Sequence, residues 1–218
     1  MKVLASRAAA LLLTATLTAA CSKVPGVYVY EKDGQASAAK AGGTDPKTFA
    51  DDNWSSKIVP TVHEKAADVA TVAAAIAKDP EAAGKQYGHQ SGTGSPFAYL
   101  VKGSGTVTGL DTSVPAGPLT VEVPQAGGRP LKVTIATGPV IAGTAIRDAV
   151  GFISFGDFTN QIDYADVANR INAKVKIDVI AKVDLSGIEG KKVGFYGAFS
   201  ALSPGVIFLV PTELTVTP

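Results

Sequence analysis

The sequence predicts an α+β protein in which N-terminal helices pack on an antiparallel β-barrel of OB-fold-like type. Three observations carry this reading. Between residues 44 and 87, apolar residues recur at the three- and four-residue spacing of helices. Beyond a glycine- and serine-rich boundary, Gly88 to Pro96, the pattern changes to the alternation of strands. The later elements then run as three strands, a helix and further strands, with a first strand long enough to pair twice. That is the order of a small closed barrel plugged by a helix between its third and fourth strands.

Residues 1–20 read as a signal peptide. Lys2 and Arg7 give a positive start, and Ala8 to Ala19 is uncharged and apolar but shorter than the roughly 20 residues of a spanning helix. Leu17-Thr18-Ala19-Ala20-Cys21 resembles a lipobox, with Thr18 where leucine is usual. Cys21 is the only cysteine in the chain. Lipidation gives that thiol a use; ordinary secretory cleavage leaves it free in an oxidising compartment. Each buried lipid methylene contributes about 0.8 kcal/mol, and several acyl chains together anchor stably. The expectation is a periplasmic chain, lipid-anchored through Cys21 to the cell-envelope membrane, with residues 21–43 as anchor and tether.

The helical segment spans residues 44–90. Thr44 or Asp45 caps a first helix, with Pro46 in its opening turn, running to about Trp54. Pro60-Thr61 opens a second, with Val62, Ala66, Val69, Val72, Ala73 and Ile76 on one face, ending near Asp79-Pro80. An Ala-rich turn follows to about Tyr87. The barrel domain takes residues 91–218. Its first strand runs from Phe97 to Leu110, and Gly103, Gly105 and Gly109 permit a bend or bulge. Leu119 to Val123 and Leu131 to Ile135 alternate apolar and polar residues around the hairpin turn Gln125 to Arg129. A helix from Asp163 to Ala173 sets Ile162, Ala165, Val167 or Ala168, and Ile171 inward. Strands at Val175 to Leu185, Lys192 to Phe199 and Val206 to Val216 complete the list.

Composition excludes several classes of function. Removing Lys2 and Arg7 with the signal takes the formal net charge from +1 to −1, which leaves no electrostatic footprint for nucleic acid. A single cysteine excludes disulfides and thiolate metal clusters. His63 and His89, the only histidines, read as surface residues on a polar helix face and in a loose linker, so no metal or cofactor is expected. The glycines at 103, 105 and 109 lie in a strand pattern and lack the lysine of a phosphate loop.

The densest polar cluster is Arg147, Asp148, Asp157, Thr159, Asn160, Gln161 and Asp163, beside Phe155, Phe158 and Tyr164. Amides, carboxylates and a guanidinium next to aromatic rings suit sugar hydroxyls, so Arg147, Asp157, Thr159, Asn160, Gln161 and Asp163 form the candidate ligand-binding set. The competing reading is structural: Thr159 or Asn160 caps a helix, Asp163 favours its first turn, and Arg147 pairs with Asp148 or Asp157. Asp148, Asp157, Asp163 and Asp166 also supply carboxylates for glycoside hydrolysis, which needs two acids facing each other across a cleft. Sequence spacing sets no such separation, and no catalytic residue is assigned.

The stretches Gly143-Thr144-Ala145-Ile146-Arg147-Asp148-Ala149 and Phe152 to Val167 resemble the DUF2291 family of uncharacterised bacterial lipoproteins. Gly103 to Gly109 and Gly190 to Phe199 fit the same family. The resemblance implies a periplasmic lipoprotein whose genes often lie beside sugar ABC-transporter components, and it brings no assigned catalytic residue. The functional expectation is therefore a non-enzymatic binding or accessory lipoprotein. Its partners would be an ABC-transporter component, a solute-binding protein or a small sugar, and not nucleic acid. A purely structural envelope lipoprotein and a glycan-acting hydrolase are the alternatives.

Overall fold

A computed structural model describes residues 43–217 apart from 127 and 204. The signal peptide, Cys21 and the tether up to residue 42 lie outside the described residues. Asp45 opens helix α1 (Pro46–Asn53) by accepting the Thr48 amide at 2.8 Å, with Pro46 in the first turn, where a missing N–H costs nothing. The helical path then continues through a π turn, Trp54–Ile58, into α2 (Val59–Lys65). Pro60 therefore lies inside a continuous helical path and does not open a new helix. Proline removes one backbone bond and crowds the carbonyl four residues back. The wider turn before it, in which the Val59 N–H reaches back to the Trp54 carbonyl, carries the chain past that point.

The break falls instead at Ala66, whose ψ of 121° is extended. A two-residue strand β1 (Ala67–Asp68) follows, and Asp68 caps α3 (Val69–Lys78) by accepting the Thr71 amide at 2.8 Å. Asp79 caps α4 (Pro80–Tyr87), so the segment read as a turn is a helix. The apolar stripe holds across the break: Val62, Ala66, Val69 and Val72 are all buried.

Strand β2 (Gly88–His89) leads to the long β3 (Ala98–Leu110), followed by β4 (Pro118–Val123) and β5 (Leu131–Ala136). Helices α5 (Ala145–Ala149) and α6 (Gln161–Lys174) precede β6 (Lys192–Ser200) and β7 (Phe208–Thr217). Strand β3 does pair twice, with β6 along Ala98 to Thr106 and with β4 from Thr106 to Leu110. The pairings run β3-β4-β5-β7-β6 and return to β3. The sheet is mixed and not purely antiparallel, because β5 pairs β7 in parallel at Thr134↔Phe208 and Ile135↔Leu209, and β1 pairs β3 in parallel.

The glycines of β3 serve close approach. A Cβ at Gly103 would lie 2.8 Å from the Phe195 ring, and one at Gly105 would collide with the Glu122 carbonyl of β4. The ladder to β4 also shifts register between Val107 and Gly109.

The segment Val175 to Leu185 contains no strand. After α6 the chain stays helical, through a π turn at Val175–Val179 and a 3-10 turn at Ile180–Lys182. Its β-branched residues resemble a strand, but Val167, Ile171, Val175 and Val179 recur every four residues and are all buried. That spacing is the face of a helix. Ile162, expected inward, is 79% exposed, and Ala165 is exposed too, so the inner face begins at Val167.

One hydrophobic core joins the N-terminal helices to the strands: Trp54, Ile58 and Val69 pack in the same cluster as Val101, Phe195 and Leu209. Asp51 ties α1 to α6 through Lys174 at 2.6 Å and also meets Lys47 at 2.8 Å. Hydrogen bonds from Lys174 and Lys47 lower its pKa from 3.8 to about 2. A carboxylate depressed in the folded state stabilises above its unfolded pKa and loses that contribution as pH falls through the folded value. Stability should thus fall between pH 4 and pH 2, and Asp51→Asn should flatten that limb in thermal melts across this window.

Candidate functional site

The polar cluster begins on α5, a short helix packed against β3 and β6 and buried along its whole length. Sequence reading did not foresee it; Ala145, Ile146, Ala149 and Val150 on every side of the two charges were the available signal. Arg147 and Asp148 are 8% and 9% exposed. Arg147 Nε and Nη2 each lie 2.8 Å from Asp148 Oδ1, and Nη1 donates to the Tyr164 carbonyl at 3.0 Å. Thr144 Oγ1 donates to the other carboxylate oxygen at 2.5 Å. Of the two partners the sequence allowed, Arg147 takes Asp148.

The guanidinium also sits 3.9 Å over the Tyr164 ring, which meets Phe155 edge-on at 5.8 Å and Phe158 at 5.9 Å. Burial pushes the Tyr164 hydroxyl above its ordinary pKa, while Arg147 pulls the other way. The aromatic rings beside the cluster thus pack around the cation.

The remaining members shape the backbone. Asp157 Oδ2 accepts from the Ser154 amide at 2.9 Å and its hydroxyl at 3.0 Å, closing a 3-10 turn at Phe155–Asp157. Thr159 lies against Gly43, where a side chain would collide with it. Asn160 is the cap of α6, accepting from the Ile162 and Asp163 amides at 2.8 and 2.9 Å, and its own amide donates to Asp163 at 3.1 Å. Gln161 is exposed in the first turn. Asp166 pairs with Arg170 at 3.0 Å. Asn160→Ala should therefore lower stability by about 1 kcal/mol, the usual cost of a lost N-cap, as read from a chemical-denaturation midpoint.

His63 is exposed, as expected, yet both histidines have defined partners. The His63 ring stacks on Tyr196 at 4.2 Å, and its Nε2 lies 3.0 Å from Glu213. His89 is half-buried, with Nδ1 2.7 Å from the Asp148 carbonyl. Among the described residues no group of three or more His, Cys, Asp or Glu is placed to hold a metal.

A cleft of about 370 Å³ opens elsewhere, lined by Trp54, Ser55, Val59, Asp178, Val179, Lys182, Val183, Thr212, Glu213 and Leu214. Sequence reading passed over it, because its walls come from three segments far apart in the chain. The lone tryptophan and Pro211-Thr212 interrupting a strand were the faint signals. Thr212 is 5% exposed and its hydroxyl has no hydrogen-bond partner among the described residues.

Among the described residues no helix is long and apolar enough to cross a membrane. A search of curated proteins found no match. The solved structure of an OB-fold protein from Thermotoga maritima is similar over 81% of this chain and 100% of that chain, with a TM-score of 0.65 and 24% identity. The likeness supports the fold. The family model for predicted periplasmic lipoproteins, DUF2291, matches residues 14–215. The chain belongs to that family and is a periplasmic lipoprotein, anchored to the membrane by its lipid.

Proposed function

We propose that the chain is a non-enzymatic binding or accessory lipoprotein that works beside a carbohydrate ABC-transport system. The observation that carries this reading is the ring of strand pairings that leaves β3 and returns to it. We read that ring as a closed barrel of the OB type, an architecture that presents strand faces and loops to ligands. The transport context comes from the family resemblance, whose members' genes often lie beside sugar-transporter components.

The aspartates favour binding over glycan hydrolysis. Asp148 is held by Arg147 and Thr144, Asp157 closes a turn, Asp163 meets the Asn160 cap and Asp166 pairs with Arg170. Hydrolysis requires two carboxyl groups flanking one substrate bond, about 5 to 9.5 Å apart; these four hold the backbone and each other's neighbours. The test is in-cell crosslinking followed by capture of the lipidated chain from membranes of cells grown on different sugars. Recovery of a transporter subunit or solute-binding protein is expected. Recovery of neither, with sugar uptake unchanged on deletion, would leave a purely structural envelope role.

A further inference from the structure

The cleft beside Trp54 gathers irregular backbone from three elements. Trp54 and Ser55 belong to the first π turn, and Asp178 to the second, with Lys182 in the 3-10 turn that follows. The third irregularity lies in β7. Its pairing with β6 runs Glu213↔Tyr196 and then Pro211↔Gly197, so Thr212 is the extra residue of a β-bulge. π turns and bulges each sacrifice regular hydrogen bonding, and both concentrate at functional sites, where they re-aim side chains. Here two π turns and a bulge meet at one cavity. The bulge residue brings a buried hydroxyl with no partner among the described residues, a group that a ligand can satisfy.

We propose that this cleft binds a neutral, polyhydroxylated small molecule of monosaccharide size. The assignment deepens the binding reading above and rests on it. A hydroxyl both donates and accepts, so a polyol needs both kinds of partner close together. Lys182 donates, Asp178 and Glu213 accept, and Ser55 and Thr212 do either. Glu213 is steadied by His63, itself stacked on Tyr196, and Asp178 lies 3.7 Å from Lys182. Two carboxylates and one ammonium leave no single sign of charge strong enough to select an ion. Val59 and Val183, both half-buried on the lining, supply the apolar surface that the C–H face of a sugar ring covers, with the buried Trp54 behind them. The volume of about 370 Å³ falls in the range of small-molecule sites.

Trp54 is the only tryptophan in the chain and lines this cleft, so its emission responds to changes there. The experiment is a fluorescence titration of the full chain with D-glucose, D-galactose, D-ribose, D-xylose and myo-inositol, alongside thermal melts. A saturable change in emission with at least one of them is expected, weakened about tenfold or more by Asp178→Asn. Thr212→Val should weaken the same binding while the melting temperature holds or rises, because it removes only the unpartnered hydroxyl. A second variant, Ser55→Ala, checks the site from the first π turn and should weaken the same binding. Binding seen as a thermal shift but silent in Trp54 emission, and indifferent to Asp178→Asn, would overturn the cleft and leave the sugar-binding reading standing. No response to any of the five, with a transporter component still captured from membranes, would overturn the cleft's ligand while the accessory role survives.

Discussion

Replacing Asp148 by alanine should lower the stability of the folded chain by about 3–5 kcal/mol, the cost of stranding a buried charge. The guanidinium of Arg147 has little access to water at 8% exposure, and among the described residues Asp148 supplies the only carboxylate it meets. The Tyr164 carbonyl and ring remain as partners, but they are dipoles and a quadrupole and cannot neutralise a cation. Thr144 loses its acceptor in the same variant. Urea unfolding checks the value, and a second variant tests the cause. Arg147→Met combined with Asp148→Ala removes both charges, so it should recover part of the loss, as a double-mutant cycle reveals. A double variant as unstable as the sum of its parts would place the cost in packing instead.

Phe195→Ala should cost a comparable amount, about 3–5 kcal/mol, through a cavity. Phe195 is 1% exposed on β6, opposite Gly103 of β3, and its ring occupies the space the missing glycine side chain leaves. The same position on β3 faces Val69 of α3, so the void would open where the N-terminal helices meet the sheet. The surroundings are strands paired on both sides, and they collapse poorly around a lost ring. Denaturant midpoints should fall with the m-value unchanged, because the folded state keeps its extent.

The regular parts of this fold were legible wherever one residue's chemistry sets the local structure. Asp45 with Pro46 and Asn160 before α6 announce helix starts because their side chains satisfy amides within three residues, whereas Asp79-Pro80, read as a helix end, also caps a new helix. The double pairing of β3 was legible from its length and its glycines. Reading failed where local propensity and tertiary packing disagree. Val175, Ile177 and Val179 are β-branched, yet the four-residue spacing that continues from Ile171 buries Val175 and Val179 on the inner side of a helical turn and leaves Ile177 65% exposed. Pro60 looks like a helix start, but the π turn before it lets the helix pass. Ile162 looks like a core residue but lies in the first turn of α6, before the buried face begins.

The same division explains the candidate site. Arg147, Asp157, Asn160 and Asp163 are polar and close in sequence, which marks them for attention, and their partners are largely each other and nearby backbone. Tethered groups of that kind organise the turn between α5 and α6. The Trp54 cleft has the opposite character: Ser55, Asp178 and Thr212 are far apart in the chain, and only the fold brings them to one cleft. No spacing rule reaches such a set, because it depends on two π turns and a bulge that themselves arise from packing.

On the reading proposed above, the 147–163 cluster serves as scaffold and ligand chemistry belongs to the cleft. Paired titrations of Asn160→Ala and Asp178→Asn against the best-binding sugar test it most directly, with melting temperature and affinity recorded for each. The account predicts that Asn160→Ala melts earlier and binds as tightly as the parent, whereas Asp178→Asn melts normally and binds weakly. A loss of affinity in Asn160→Ala with Asp178→Asn unaffected would contradict it, and would return the ligand to the loop before α6.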